Sequence, residues 1–380
     1  MPRLVLVGGG HAQLSVLQAF ARARQANAAS GAKSGAKNVD LVLVTPCSHQ
    51  HYSGMLPGWI AGHYAREQCR IDLRALAQAA GARLVIDAIV GIDAERRCVT
   101  LRDGAQLAYD LLSLDVGSEI DTSTLQAAGA RLLPVKPLDG FFDAWPAVMQ
   151  AAVAKNRHGS SRLVVVGGGA AGVELALAVR HAWNRAAIKG RVELVASCLL
   201  TDHAGAVQRR IERCLAQAGI PVHRQRALGA EDGLVLADGT PVAADWVLAA
   251  TGARAPRWLS GTTLQLDEHG YVAVDSHHRS VSHEHVYAAG DVCARLDMRM
   301  ARSGVHAVHA GPVLAANLLA ALTGGTMHTY TPRRRALYLL ACGPRHAIAS
   351  WGGFSVEGNW VWRWKDRIDR SFIARFSAQA

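Results

Sequence analysis

The chain has 380 residues, half of them hydrophobic, with 37 glycines and no long polar low-complexity tract. That excludes a fibrous or disordered protein and fits two or three compact α/β domains. A formal net charge of +11 suits anionic partners or a plain basic surface and selects no function by itself.

From the N-terminus, Arg3–Val7 reads as a buried strand running straight into Gly8-Gly9-Gly10 and a helix that starts at His11 and Ala12. This leaves no room for a secretory hydrophobic region, so a cytoplasmic location is expected. The glycine spacing suits a dinucleotide. The first glycine makes the tight turn, and the second lets backbone approach a pyrophosphate. A third small residue brings helix and strand together, and the diphosphate sits on the helix N-terminus. Gln13 occupies that third position, so it must point away from the contact or replace it with a polar one.

Residues 25–38, rich in Ala, Gly, Ser and Lys, read as a lengthened, mobile loop before a strand over 39–44. Thr45 follows, where an acid would ordinarily hold ribose hydroxyls, and a hydroxyl makes a weaker version of that contact. Residues 109–116 read as another buried strand, turning at Gly117.

Residues 162–166 then repeat the opening pattern, followed by Gly167-Gly168-Gly169-Ala170-Ala171-Gly172. Two such copies, each directly after a buried strand, are far more specific than one. The apolar stretch 163–179 is short, glycine-rich and carries Glu174, which fits a buried strand, turn and helix better than a membrane span. The next strand ends at Ala196-Ser197 with neither an acid for a ribose 2′-hydroxyl nor an adjacent arginine for a 2′-phosphate. NAD and NADP both stay open, with Arg224 and Arg226 the nearest later cations. A second strand-to-glycine turn ends at Gly252, and a third delivers Gly290-Asp291 ahead of a helix. Asp291 suits either a ligand carboxylate or a helix N-cap.

The order and spacing of these motifs resemble the FAD-dependent pyridine nucleotide-disulfide oxidoreductase superfamily over about residues 3–322. Within it the chain is most similar to the type II NADH dehydrogenase and sulfide:quinone oxidoreductase branch. Residues 52–58 and 311–318 resemble the flavoprotein module that sometimes precedes selenophosphate synthetase, although no synthetase domain follows in this sequence.

The resemblance implies FAD on Gly8, Gly10, His11, Ala12, Thr45, Gly117, Gly290 and Asp291. It implies NAD or NADP on Gly167, Gly169, Gly172 and Gly252. Glu174 would lie near nicotinamide and flavin, or serve as a first-turn acid favoured by the helix dipole. Arg302 and His306 stand where type II NADH dehydrogenases carry glutamines near the quinone. A cation there could stabilise a reduced, anionic flavin, and the exchange departs from an ordinary quinone site.

Seven cysteines, at positions 47, 69, 98, 198, 214, 293 and 342, include no C-x-x-C pair. An odd count argues against a disulfide framework, and inert thiols are expected. Disulfide reductases of the superfamily need a close pair beside the flavin. Cys47 stands alone there, and neither Cys293 nor Cys342 matches a sulfur-relay motif. The tail from Trp360 to Arg370 interleaves aromatics with bases. It suits a docked terminal helix or a segment lying on an anionic membrane. Single-stranded nucleic acid would use similar residues, but no nucleic-acid partner is expected because the flavoprotein motifs account for the chain.

The expected fold is α/β: two Rossmann-like dinucleotide-binding modules, one inserted in the other, plus a small C-terminal α/β cap. Residues 1–118 and 253–325 would bind FAD, 119–252 NAD(P), and 326–380 would form the cap. The expected activity is hydride transfer from NAD(P)H to flavin and on to a quinone-like acceptor. The alternatives are a reductase for a protein or a sulfur/selenium acceptor, and a low-turnover flavin-bearing sensor. No metal is expected.

Overall fold

The computed structural model describes residues 1–30, 39–298, 300, 304–333 and 335–377. Two five-stranded parallel sheets organise it. The first runs in the order Val286–Ala288, Leu111–Leu114, Arg3–Val7, Asp40–Thr45, Arg83–Ile86. The second runs Leu132–Pro134, Trp246–Ala249, Ser161–Val166, Gly190–Val195, Val222–His223. The central strands are near-continuous Val/Leu runs because helices and loops cover both sheet faces.

The first sheet takes its edge strand from far along the chain, after the whole second sheet has formed. Two crossings join the modules where Glu119–Ile120 pairs antiparallel with Ala253–Arg254. Each module also carries a three-stranded antiparallel meander, at residues 89–108 and 227–243.

The helix following Arg3–Val7 spans His11–Ser30. This corrects the expectation of a loop from residue 25, because Ala26, Ala28 and Ala29 are strong helix formers that extend the helix. Residues 31–38 lie outside the described residues. Packed against it is Gly304–Thr323, with Gly311 set close to Ser15 and Ala12. Among the described residues, Gly304–Thr323 is the one helix long and apolar enough to cross a bilayer. Here it packs into the protein, and its buried Asn317 donates to the carbonyls of His277 and His328.

The C-terminal part has strands Leu337–Ala341, Ala347–Trp351 and Phe354–Gly358, then helix Asn359–Ser377. That helix is docked. Val361 and Trp362 enter the core of the second sheet's module, while Phe376 enters the core beside Leu14 and Phe20. It therefore touches both modules, with polar groups lying between these two contacts.

Candidate functional site

At the first glycine turn, Gly8 adopts φ +89°, and a Cβ there would sit 2.4 Å from the Asp115 carbonyl oxygen. Only glycine tolerates both conditions. Thr45 is buried at the end of the neighbouring strand, and the Gly8 amide donates to Val44 there.

The unexpected occupant is Asp115. Its Oδ2 accepts from the amides of Ala12 at 2.7 Å and Gln13 at 3.1 Å, so a carboxylate caps the helix start where a diphosphate is expected. The side chain fills the space that a Cβ on Gly10 or Gly290 would need, with its Cγ 2.3 Å from the former and its Oδ1 2.5 Å from the latter. Burial pushes its carboxyl up to about 7, the two amides pull it back, and Asp291 pushes it up again.

Gln13 adopts the polar alternative: its Nε2 donates to Ser113 O at 2.9 Å and Ser113 Oγ at 3.0 Å. A fully buried side chain thus ties helix to strand where glycine would allow simple contact.

His11 is half-buried with its Nε2 inside the protein, and burial lowers its imidazole to about 4. Its Nε2 has no hydrogen-bond partner among the described residues. A buried, orphaned nitrogen at this helix start needs a polar group that a cofactor can bring. Asp291 accepts from Ser118 Oγ at 3.4 Å and Lys136 Nζ at 3.3 Å, with Lys136 also donating to Ser118. Gly117 lies just before Ser118, and a Cβ on it would meet open space. The glycine turn, the orphaned His11 and the Asp291–Lys136 pair fit an FAD.

The second turn is more open. Gly172 packs so tightly that a Cβ would lie 1.9 Å from Gly167 O, whereas a Cβ on Gly169 would meet nothing within 4 Å. Gly167 lies against the carbonyl of Ala250, and Gly252 accepts from the Asp121 amide at the crossing between modules. Ser197 is exposed at its strand end, and Arg224 is engaged by Glu212 on helix Gly205–Gln217.

Glu174 stands in the second turn of Ala170–Arg185, whose first turn carries no acid, which corrects the reading of it as a first-turn acid; its side chain reaches towards the C-terminal part. Its Oε1 accepts from the Ala341 amide at 2.7 Å. Burial pushes the carboxyl up to about 7, and nearby Lys365 pulls it down. Glu174 is half-buried rather than fully enclosed. Beside it, Lys365 Nζ donates to Asp369 Oδ2 and to Gly54 O, each at 2.7 Å. Lys365 is 8% exposed and Asp369 4%. Burial raises the Asp369 carboxyl, while Lys365 and the Tyr52 hydroxyl, hydrogen-bonded to it, lower it. Tyr52 stacks on Phe372 at 4.5 Å and meets His11 edge-on at 5.5 Å. Tyr52, Asp369 and Lys365 thus form a buried polar chain beside Glu174, and an edge-on ring contact alone links it to the first glycine turn.

Arg302 lies outside the described residues. His306 borders an open cavity of about 610 Å³ beside Asp291, Arg295 and Met298, and burial lowers its imidazole. Reading the sequence missed Asp115, Lys136, Tyr52, Lys365 and Asp369 as site residues. Lys365 and Asp369 stand four apart, the spacing of a helical ion pair, but their burial was invisible in a tail of mixed aromatics and bases.

The sequence matches the model of the pyridine nucleotide-disulphide oxidoreductase family over residues 2–311. The chain belongs to this family. It is an NAD(P)H-dependent flavoprotein oxidoreductase, with FAD and a nicotinamide dinucleotide as cofactors. Ferroptosis suppressor protein 1 of Taeniopygia guttata is 25% identical over 287 residues, covering 70% of this chain and 71% of that protein. An NADH dehydrogenase-like protein of Mycobacterium tuberculosis H37Rv is 28% identical over 240 residues, and the match spans 60% of each chain.

Among solved structures, the sulfide:quinone oxidoreductase of Aquifex aeolicus superposes with TM-score 0.80 at 14% identity, covering 100% of this chain and 92% of that one. NDH2 of Plasmodium falciparum, in complex with NADH, gives 0.80 at 11% identity, covering 100% and 99%. At these identities the likeness concerns the fold of the oxidoreductase.

Proposed function

We propose that this oxidoreductase takes hydride from NAD(P)H and reduces a quinone-like acceptor beside Glu174. The observation that carries the reading is the buried seam Glu174–Lys365–Asp369–Tyr52, which joins a helix of the second module to the terminal helix. Quinone reduction consumes protons as well as electrons. A carboxyl poised near 7 exchanges its proton readily at neutral pH. The relatives named for NADH dehydrogenase and sulfide:quinone oxidoreductase activities support the same acceptor class.

FAD, when bound, supplies the hydride acceptance and the onward electron transfer. Gly8, Gly10, His11, Ala12, Thr45, Gly117, Gly290 and Asp291 would hold it, with Lys136 orienting the Asp291 carboxylate. Gly167, Gly169, Gly172 and Gly252 would hold the nicotinamide dinucleotide. Glu174 would keep or release a proton at its carboxyl, with Lys365 favouring the ionised form. Residues 1–118 and 253–325 would act as the FAD module, 119–252 as the NAD(P) module and 326–380 as the cap.

The cap also supports peripheral contact with a membrane, where a lipophilic quinone would be met. Phe354 is 76% and Trp360 56% exposed, with Trp364 and the bases Arg363 and Arg367 also outward. Exposed aromatics interleaved with cations suit an anionic lipid surface.

The test is an anaerobic titration of the purified flavoprotein with NADH and then NADPH, followed through the visible flavin spectrum, before adding a water-soluble quinone. Bleaching by a nucleotide and rapid return of colour with quinone is the expected result. A reduced flavin that quinone leaves unchanged would overturn the acceptor assignment.

A further inference from the structure

We propose that Cys214, Cys342, His346 and Glu357 form a structural site for a zinc-class divalent cation, clamping the C-terminal strands to helix Gly205–Gln217. The four residues come from three separate places. Cys214 lies near the end of that helix. Cys342 and His346 flank the turn between Leu337–Ala341 and Ala347–Trp351. The turn is closed by the Cys342 amide donating to His346 O at 3.0 Å, with Gly343 at φ +86°. Glu357 belongs to the next strand, paired with Ile348.

The donor atoms of Cys214, His346 and Glu357 all lie within 4.8 Å of one another. The thiols of Cys214 and Cys342 lie close enough to influence each other. Zinc bonds of roughly 2.0–2.3 Å place tetrahedral donors about 3.3–3.8 Å apart. Contraction by about an ångström closes the three-residue set of Cys214, His346 and Glu357; Cys342, whose thiol now faces Leu340 O, would have to rotate to supply the fourth donor. A Cys-x-x-x-His pair on a tight turn is a spacing that such sites use.

The donor set is selective. Two sulfurs, an imidazole and a carboxylate suit zinc and disfavour calcium or magnesium, which take oxygen. Glu357 is already oriented: its Oε1 accepts from Arg210 Nη1 at 2.5 Å and Arg213 Nη2 at 2.9 Å. Its Oε2 faces His346 Nε2 at 3.8 Å. Fixing a ligand carboxylate through outer hydrogen bonds is the usual second layer of a metal site. Two thiolates and a carboxylate would leave one net negative charge around a dication, and the two guanidiniums offset it. The site also adjoins Ala341, whose amide holds Glu174. On the functional reading above, a bound cation would steady that strand end.

The test loads the reduced FAD-bound protein with Zn²⁺ after chelator stripping, then measures metal content and unfolding temperature. About one zinc per chain and a raised unfolding temperature are expected, with both effects lost in Cys214→Ser and His346→Gln. Arg210→Met should weaken zinc by about tenfold to a hundredfold while keeping the ligands. Cobalt loading of the unaltered chain gives a readout independent of variant folding: a thiolate-to-cobalt charge-transfer band and visible bands to the red of flavin absorption. Flavin content and activity with NADH are separate measurements, so failure of the acceptor assignment would not mimic failure of the metal site. Absent zinc uptake, uptake indifferent to Cys214→Ser and His346→Gln, or cobalt spectra without thiolate bands would overturn the proposal. So would a Cys214–Cys342 disulfide whose reduction leaves the protein unable to take up zinc.

Discussion

Replacing Asp115 with asparagine should change how stability depends on pH. In the folded protein the carboxyl is enclosed, 3% exposed, and pushed from an ordinary 3.8 to about 7. The folded state therefore holds a proton that the unfolded chain releases between those values. Stability from this group is fully present below about pH 4 and is lost as pH rises through about 7. At about 1.4 kcal/mol per pH unit, that span corresponds to an upper size of about 4 kcal/mol.

Asp115→Asn removes the titration but leaves an acceptor oxygen for the Ala12 and Gln13 amides. Urea unfolding of FAD-stripped protein at pH 5, 6, 7 and 8, at fixed ionic strength, reads the difference directly. The variant should gain on the unaltered chain from pH 5 to about 7, with the gain levelling off towards pH 8. FAD retention should follow, because an ionised Asp115 repels a diphosphate on the same helix start; it should weaken from pH 6 to pH 8 in the unaltered chain only. Parallel stability curves would refute the reasoning, since they would mean that the helix amides keep the carboxylate ionised and satisfied throughout.

Glu174→Gln should remove a pH-dependent limb of turnover near pH 7: activity requiring the protonated acid falls above that value in the unaltered chain, and steady-state rates from pH 5.5 to 8.5 check it. Lys365→Met leaves Asp369 buried without its cation and should cost roughly 3–5 kcal/mol in denaturant unfolding, much of it recovered when Asp369→Leu is added. Gly10→Ala drives a Cβ to 2.3 Å from Asp115 Cγ and should yield protein depleted of flavin absorbance. Gly169→Ala, whose Cβ meets open space, should keep its flavin and raise KM for the nicotinamide dinucleotide. Trp360→Ala with Phe354→Ser should reduce sedimentation with anionic vesicles and leave stability within about 0.5 kcal/mol, as exposed positions do.

Much of the architecture was legible in local pattern. A strand buried on both faces is a short run of Val and Leu, and a glycine turn feeding a helix is a fixed spacing. Both copies could be read without knowing their neighbours, and the order of the turns indicated the family. Local reading failed at residues 25–30, where alanines continue a helix that composition suggested was a loop.

The site was legible only in part, because its chemistry depends on groups far apart in sequence. Asp115 looked like one more residue of a strand-to-turn motif, and only packing sets it on the helix start 100 residues earlier. Gln13 looked like a flaw, and only the neighbouring Ser113 makes it a tie. Lys365 and Asp369 sit in a tail whose composition suited membrane, nucleic acid or core alike. Docking that tail across both modules buries the pair beside Glu174 and Tyr52. Periodicity and turn chemistry are local properties and survive in the sequence. Burial, charge pairing and proton affinity arise from surroundings assembled by the whole chain, and those the tertiary structure decides.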